Sequence, residues 1–329
     1  DKKKYHLMSI LVSVPVLTYN SAEFVEETLE SIYNQTYQNL QLIISDDCSK
    51  DNTVEIVQKW CNLPRVKERF ADIKIITVPK NTGIPANYNR CITASTGEWI
   101  KAISGDDALM PNCVEDNIDF INNNQEAKVL YSYNRVYENT FEEENFVGLN
   151  PKKSPHNIIN DAITASEQYE LLLIGDRIAF TPSRFLSKNA IFDAGIPDES
   201  LYSEDYQLKL SFTKKGYKLF FMEKETVLYR QHDFASSNTI KEYVLKPHYF
   251  KTESFRDKCI YPNIPFDLKM SQKFSWIVNQ IFRINLFNTK NKTNDFLYYV
   301  LNVVLNPFKY IIYFKSKFIA KYKNNIFYK

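Results

Sequence analysis

The sequence predicts an α/β protein with a mostly parallel central sheet flanked by helices and a helical appendage at its C-terminal end. Three observations lead there. Over the first 135 residues, short β-branched apolar runs alternate with segments of helical periodicity, the pattern of a parallel sheet covered on both faces. A length of 329 residues with 44% apolar residues supports one large domain plus an appendage. The charge is also uneven. Residues 269–329 carry ten lysines, one arginine and a single acid, Asp295, a formal +10 within a chain whose net charge is +2. The tail is therefore a basic appendage on an acidic body.

Each element has its own signal. Residues 9–16 form an apolar run read as a buried strand. The run is short, is broken by Pro15 and lacks a small-residue cleavage site, so it does not read as a signal peptide. Residues 23–34 place Phe24, Leu29, Ile32 and Tyr33 on one helical face. Strands are expected at residues 40–45, 73–78, 99–103 and 129–133, with helices at 53–60 and 86–94 between them. Asn112 followed by Glu115 has the pattern of a capping box and opens a helix to about Ile121. Residues 138–160 are polar and read as a mobile connection. Helical periodicity returns at 165–173, and strands are expected at 177–185, 217–222 and 226–230. An amphipathic helix over 204–214 is closed by Gly216. Beyond Lys241 the pattern is helical and rich in aromatic residues and lysine. No run reaches the roughly 18 apolar residues of a spanning helix. The five cysteines lack C-x-x-C spacing and read as reduced thiols of a cytosolic protein.

Ligands of open parallel sheets bind at the carboxyl ends of the strands. Those ends carry Thr18-Tyr19-Asn20, Asp46-Asp47-Cys48-Ser49, Asn81-Thr82-Gly83 and Ser104-Gly105-Asp106-Asp107. Either acid pair alone could be a turn or a helix cap. Two at equivalent positions point to a cation or ligand site. No G-x-G-x-x-G or G-x-x-x-x-G-K-[ST] occurs among the seven glycines, which argues against a dinucleotide-binding or P-loop protein. A diphosphate would instead be held by a divalent cation, Mn²⁺ or Mg²⁺, on carboxylates. Glu204-Asp205 is a third adjacent-acid pair. In structural terms it could be a first-turn pair favoured by the helix dipole.

The segments S-V-P-V-L-T-Y-N, I-S-D-D-C-S-K-D-N-T, N-T-G-I-P-A-N-Y-N-R and T-G-E-W-I-K-A-I-S-G-D-D, in that order, resemble the family 2 inverting glycosyltransferases of GT-A fold over about residues 7–240. The resemblance implies a nucleotide site at the strand ends, with Thr18, Tyr19, Asp46, Asp47 and Asp106 in it and Asp47 meeting the base; Pro15, Asn20 and Asn81 at the same ends join the candidates, and Arg90 could meet phosphate or be a solvated surface charge. It implies Asp107 as direct metal ligand and His232, in Y-R-Q-H, as a further metal or phosphate contact. Glu204-Asp205 matches the family's E-D motif, with Asp205 as general base. Two departures stand out: Cys48 replaces the usual glycine of D-D-G-S, and S-G-D-D offers two acids where many members have three. The implied activity is transfer of a sugar, with inversion, from a UDP-sugar to a glycan or lipid-linked acceptor in bacterial surface polysaccharide synthesis. Residues 1–240 would form the catalytic domain, with a nucleotide half to about 135 and an acceptor half after it. Residues 241–329 would form the helical region.

Rival readings are a sugar-phosphate nucleotidyltransferase and a non-catalytic nucleotide-sugar or glycan-binding protein. The first wants a glycine-rich basic loop after strand one, which Thr18–Ser21 lacks. The second would be expected to have lost an acid at 107 or 205. No nucleic-acid motif is present. The basic aromatic tail suits either peripheral contact with the inner face of the cytoplasmic membrane or packing against protein.

Overall fold

The computed structural model describes residues 10–178, 180–232, 243–245, 250–318 and 327. The chain divides into two compact units, residues 1–168 with 178–230, and residues 169–177 with 231–329. The expected boundary at 240 lies outside the described residues.

In the first unit come β1 (Val12–Thr18), α1 (Val25–Tyr33), β2 (Leu40–Asp46), α2 (Thr53–Cys61), α3 (Pro64–Arg69), β3 (Asp72–Thr77) and α4 (Ile84–Ala94), the expected alternation with one unexpected short helix, α3. Val12, Val14 and Val16 of β1 pair in register with Leu40, Leu42 and Ile44 of β2, and all six join Leu29, Ile32, Val57 and Trp60 in one core. Helix α4 packs on β1 and β2 and buries Tyr88, Cys91 and Ile92. The intervening residues Ser13 and Gln41 are also buried, and the Ser13 hydroxyl donates to Gln41 Oε1 at 2.6 Å. Period-two alternation therefore sorts each strand's side chains into two buried layers.

The expected strand at 99–103 is two short ones, β4 (Trp99–Ile100) and β5 (Ile103–Ser104), both parallel to β1. Next come β6 (Ala108–Leu109), α5 (Cys113–Asn123) and β7 (Val129–Glu138). The capping box does not form. Asn112 makes no side-chain cap, and Glu115 instead accepts a hydrogen bond from Thr36 Oγ1 at 2.6 Å. The polar stretch after β7 contains β8 (Phe146–Asn150), antiparallel to β7, so part of the expected mobile connection is a hairpin.

The residues after β8 depart further from the expected pattern. After α6 (Ala165–Ile174), the strand expected at 177–185 is reduced, among the described residues, to its last position: a 3₁₀ turn at Thr181–Ser183 precedes a short β9 (Phe185–Ser187). Proline at the turn's first positions fits a turn better than a ladder. Helices α7 (Lys188–Ala194) and α8 (Glu204–Lys215) follow, and Gly216 caps α8 at φ +98°. Helix α8 buries Glu204, Gln207, Leu208, Lys209, Leu210, Phe212 and Thr213, so it is covered around most of its circumference and is not simply amphipathic. The two expected strands at 217–222 and 226–230 are one, β10 (Leu219–Gln231). The sheet order is β3-β2-β1-β4-β9-β7-β10-β6. Its β1–β5 side is parallel, and its β9, β7–β8 and β6–β10 pairings are antiparallel.

In the second unit the described helices are α9 (Glu253–Phe255), which runs into a π-helical stretch, α10 (Phe266–Ile281), α11 (Asn285–Asn288), α12 (Lys292–Tyr299) and α13 (Pro307–Phe318). Leu245, Val278 and Phe282 form their small core, with Phe274, Leu297 and Leu301 against it.

Candidate active site

The carboxyl ends of β1 and β2 are tied together by side chains. Asp46 Oδ1 accepts from Thr18 Oγ1 at 2.9 Å, and Asp46 Oδ2 accepts from the Ser49 N–H at 2.8 Å. Asp46 therefore shapes the loop. Asn20 takes φ +51°, and its Oδ1 accepts the Lys50 N–H at 2.7 Å. Cys48, at φ +68°, holds a left-handed conformation that suits glycine and costs other residues about 1–2 kcal/mol. Tyr19 is 47% exposed at the rim. Pro15 sits in mid-strand within buried β1, opposite Ile43 and three residues short of that mouth.

Asp47 is the best-supported carboxylate of this end. Its Oδ1 accepts from Thr82 Oγ1 (2.6 Å) and Arg90 Nη2 (2.7 Å), and its Oδ2 from the N–H groups of Thr82 (3.0 Å) and Gly83 (2.7 Å). Burial alone would raise its pKa, but the Thr82, Arg90 and Gly83 donors outweigh that and hold it below the usual value. Asn81 Oδ1 accepts the Gly83 N–H at 3.1 Å, and Arg90 also reaches Thr82 Oγ1 at 2.7 Å. Asp47, Asn81 and Arg90 are thus brought into one polar cluster.

The second acid pair follows β5. Gly105 is needed there for close packing, because a Cβ would lie 2.8 Å from Thr18 Cγ2. Asp106 is half-buried and Asp107 is buried. Asp107 Oδ1 accepts the backbone N–H of Arg230 at 2.9 Å. The Arg230 guanidinium is directed elsewhere, to Glu27 and to the carbonyls of Asp106 and Asn139, between the rings of Phe24 and Phe141. Burial, with the Asp106 charge adding to it, pushes the Asp107 carboxyl well above the ordinary range. Among the described residues no group of three His, Cys, Asp or Glu side chains gathers to hold a metal. An all-oxygen carboxylate pair whose ionised form is disfavoured by burial still fits a hard divalent cation that is shared with phosphate oxygens. His232 is buried and belongs to the second unit.

The third pair opens α8. Ser203 before it sits at φ +70°, a strained position of the kind found at functional sites. Glu204 is buried against Arg184, whose Nη2 lies 3.3 Å from Oε1 and whose guanidinium stacks 4.5 Å from the Tyr88 ring. Burial raises the Glu204 carboxyl above its usual value, with the Asp205 charge adding and Arg184 opposing. Asp205 differs. Oδ1 accepts from Ser203 Oγ at 2.5 Å, and Oδ2 from Thr181 Oγ1 at 2.8 Å and Lys209 Nζ at 3.2 Å. Burial would raise its pKa, but Lys209, Ser203, Thr181 and Arg184 more than reverse that, and the group is ionised far below the usual carboxylate range. The side chain of Asp205 is 24% exposed and that of Glu204 12%.

Two links join this pair to the sheet end that carries the first two. Tyr88 and Arg90 share α4, one under Arg184 and the other on Asp47. Lys101, between β4 and β5, donates to the Pro182 carbonyl at 2.9 Å, beside the Thr181 that binds Asp205. Lys101, Thr181 and Lys209 were not legible as site residues. Lys209 did carry a signal, being four positions after Asp205 on a predicted helix.

The sheet order and the acids at its mouth define a GT-A transferase fold. Staphylococcus aureus TarS 1-349, solved with UDP-GlcNAc, aligns with a TM-score of 0.55 and 14% identity over 89% of this chain and 90% of that one. The mannosyltransferase PcManGT from Pyrobaculum calidifontis, solved with GDP-Man and Mn²⁺, aligns with a TM-score of 0.51 and 12% identity over 93% and 75%. Residues 13–171 match the family model described as Glycosyl transferase family 2. Over those residues, just under half of its length, the chain carries a family 2 glycosyltransferase domain. The Escherichia coli enzyme UDP-Glc:alpha-D-GlcNAc-diphosphoundecaprenol beta-1,3-glucosyltransferase WfaP is 27% identical over 245 residues, 74% of this chain and 86% of that protein.

Proposed function

We propose that this glycosyltransferase moves a sugar from a UDP-linked donor to a hydroxyl of a glycan or lipid-linked acceptor, with inversion at the anomeric carbon. The observation that carries the reading is the Asp205 carboxylate: ionised, oriented by three donors, and partly open to solvent. Such a group can take the proton of an acceptor hydroxyl as it attacks, which contributes roughly 10²–10⁴-fold. Attack opposite the leaving diphosphate inverts the centre. Asp47 with Asn81 and Arg90 would line the base pocket, with Tyr19 and Asn20 at the rim. Asp107, beside Asp106, would hold Mn²⁺ or Mg²⁺. A cation there supplies charge neutralisation for the departing diphosphate.

The UDP and lipid-linked substrates named for TarS and WfaP support this donor and acceptor chemistry. A panel of UDP-, GDP- and CDP-sugars, read by nucleotide release and by proton NMR of the product's anomeric centre, tests it. Turnover of UDP-sugars with an inverted product is expected. Preference for another nucleoside diphosphate, or retention of configuration, overturns the donor or the mechanism respectively.

The membrane part rests on a separate observation. Phe296, Tyr299, Leu305, Tyr310, Phe314 and Phe318 are exposed in a region whose acids number one. No described helix is long and apolar enough to cross a membrane. Exposed aromatics among lysines suit peripheral docking on anionic lipid at the cytoplasmic face, where a lipid-linked acceptor would lie. Co-sedimentation of the full chain with phosphatidylglycerol vesicles at low salt is expected. Indifference to vesicles together with self-association would assign the same face to a second copy.

A further inference from the structure

Lys209 is 0% exposed. Its Nζ donates to the Ile178 carbonyl at 2.7 Å and to Asp205 Oδ2 at 3.2 Å. A second fully buried lysine, Lys101, donates to the Pro182 carbonyl at 2.9 Å. The two ammonium groups therefore grip the same short segment, one at Ile178 and one at Pro182, and that segment presents Thr181 Oγ1 to Asp205 at 2.8 Å. Burying a cation is costly unless it is paired and hydrogen-bonded. Fold stability alone would be served as well by an apolar side chain at either position. What this arrangement achieves is a fixed carboxylate with a fixed charge.

We propose that Lys209 is a positioning residue for the reaction: by holding Oδ2 it fixes the orientation in which the Asp205 carboxylate meets the acceptor hydroxyl. Lys101 completes the device by holding the turn that carries Thr181. The inference rests on the reading of Asp205 as base. The other charged or titratable groups facing Asp205 are Arg184 from the β9 side, Glu204 on the same helix turn and Tyr202 before it. Arg184 is engaged with Glu204 and the Tyr88 ring. Lys209 is the cation in direct hydrogen-bond contact with Asp205. The strained Ser203 adds its hydroxyl to Oδ1, so the carboxylate plane is set from both oxygens.

The test uses the full chain, with UDP-glucose and UDP-N-acetylglucosamine as donors and water as acceptor. UDP release is measured against pH, UDP affinity by calorimetry, and the Asp205 carboxyl by ¹³C NMR titration. In the unaltered chain the Asp205 signal should stay flat from about pH 4 to 8, above the reach of a carboxyl held below its ordinary value. Lys209→Met should bring its midpoint into that window and lower UDP release roughly 10- to 100-fold at neutral pH, the scale of a misplaced reacting group. UDP affinity should not change. Lys209→Gln keeps a hydrogen-bond donor without the charge, so it should raise the midpoint as Met does but lose less rate. Thr181→Val removes one donor and no charge and should show a smaller change of both kinds; with Lys209→Gln it carries the test if Lys209→Met does not fold.

A flat Asp205 signal and rates within twofold in all soluble variants would overturn the proposal. So would a parallel loss of UDP affinity, which marks a purely structural lysine. Asp205→Asn separates the two readings. If that variant turns over normally, base and positioning residue fall together. If it is inactive while the Lys209 variants are silent, the base stands and this inference alone fails.

Discussion

The two acid pairs Asp106-Asp107 and Glu204-Asp205 are neutralised in opposite ways. Beside Glu204-Asp205 the protein supplies two buried cations of its own, Arg184 on one carboxylate and Lys209 on the other. Beside Asp107 it supplies a backbone N–H, while the nearby Arg230 guanidinium is turned to Glu27 and to two carbonyls. Burial therefore lifts the Asp107 carboxyl, whereas Asp205 is pulled far down despite its burial. The same dipeptide chemistry gives a fixed anion in one place and an under-compensated one in the other. What separates them is which cation the fold brings within hydrogen-bond reach.

The largest effect expected from this contrast is at Asp205. Asp205→Asn keeps the shape and removes the proton acceptor, so kcat should fall by at least roughly 10²-fold with UDP affinity retained. Glu204→Gln should cost less, because a neighbour one residue along a helix points about 100° away. Steady-state kinetics beside calorimetry checks both. A reversed order would move the base to Glu204.

Next comes Asp107. Asp107→Asn leaves the Arg230 N–H an acceptor but removes the charge that would hold a cation. UDP binding in Mn²⁺ should fall to the level the unaltered chain shows in EDTA, and EDTA should abolish turnover of the unaltered chain. Full activity in EDTA would leave the under-compensated pair without a role.

The pH profile sharpens the comparison. Asp205 has a depressed pKa in the folded chain, so its ion pair with Lys209 is fully present above the unfolded carboxylate value of about 3.9 and is lost only as pH falls through the lower folded value. The kcat profile should therefore show no acid limb from the base between about pH 5 and 7. Glu204, raised by burial, would titrate above its ordinary value. A limb in that window that disappears in Glu204→Gln would identify Glu204 as the titrating base.

The smallest effect lies in the loop after β2. Cys48→Gly relieves the left-handed strain at φ +68° but adds unfolded-state freedom. A net gain of up to about 1 kcal/mol is expected, measured by denaturant unfolding. A loss would mean that the contact of Lys50 Nζ with Cys48 Sγ, 3.1 Å apart, outweighs the strain.

Legibility differed between the halves of the catalytic unit. From β1 to α4 strands β1 and β2 are buried and the longer helices bury one face, so periodicity reported every element but the short α3 within a few residues. After β7 that link weakens. Within the strand expected at 177–185, Thr181–Ser183 is a proline-bearing 3₁₀ turn, and the Ile178 and Pro182 carbonyls accept from the buried lysines Lys209 and Lys101. The Asn112–Glu115 pattern went unused because Glu115 found a partner 79 residues away in Thr36. Helix α8 carries polar residues on nearly every side, yet most of its length is buried.

By itself the sequence determined the alternation of strands and helices, and with it the rule that the strand ends carry the ligand. That placed Thr18, Asp47, Asn81 and Asp106 at one mouth, because apolar strand runs and short polar loops are local properties of the chain. Only the tertiary structure decided which carboxyl is pulled below its ordinary pKa and which is pushed above it. A carboxylate's charge state depends on the distance to cations that sit anywhere in the chain and on the water each has lost. Lys101 and Lys209 look like surface residues in sequence, and the fold buries both beside one turn.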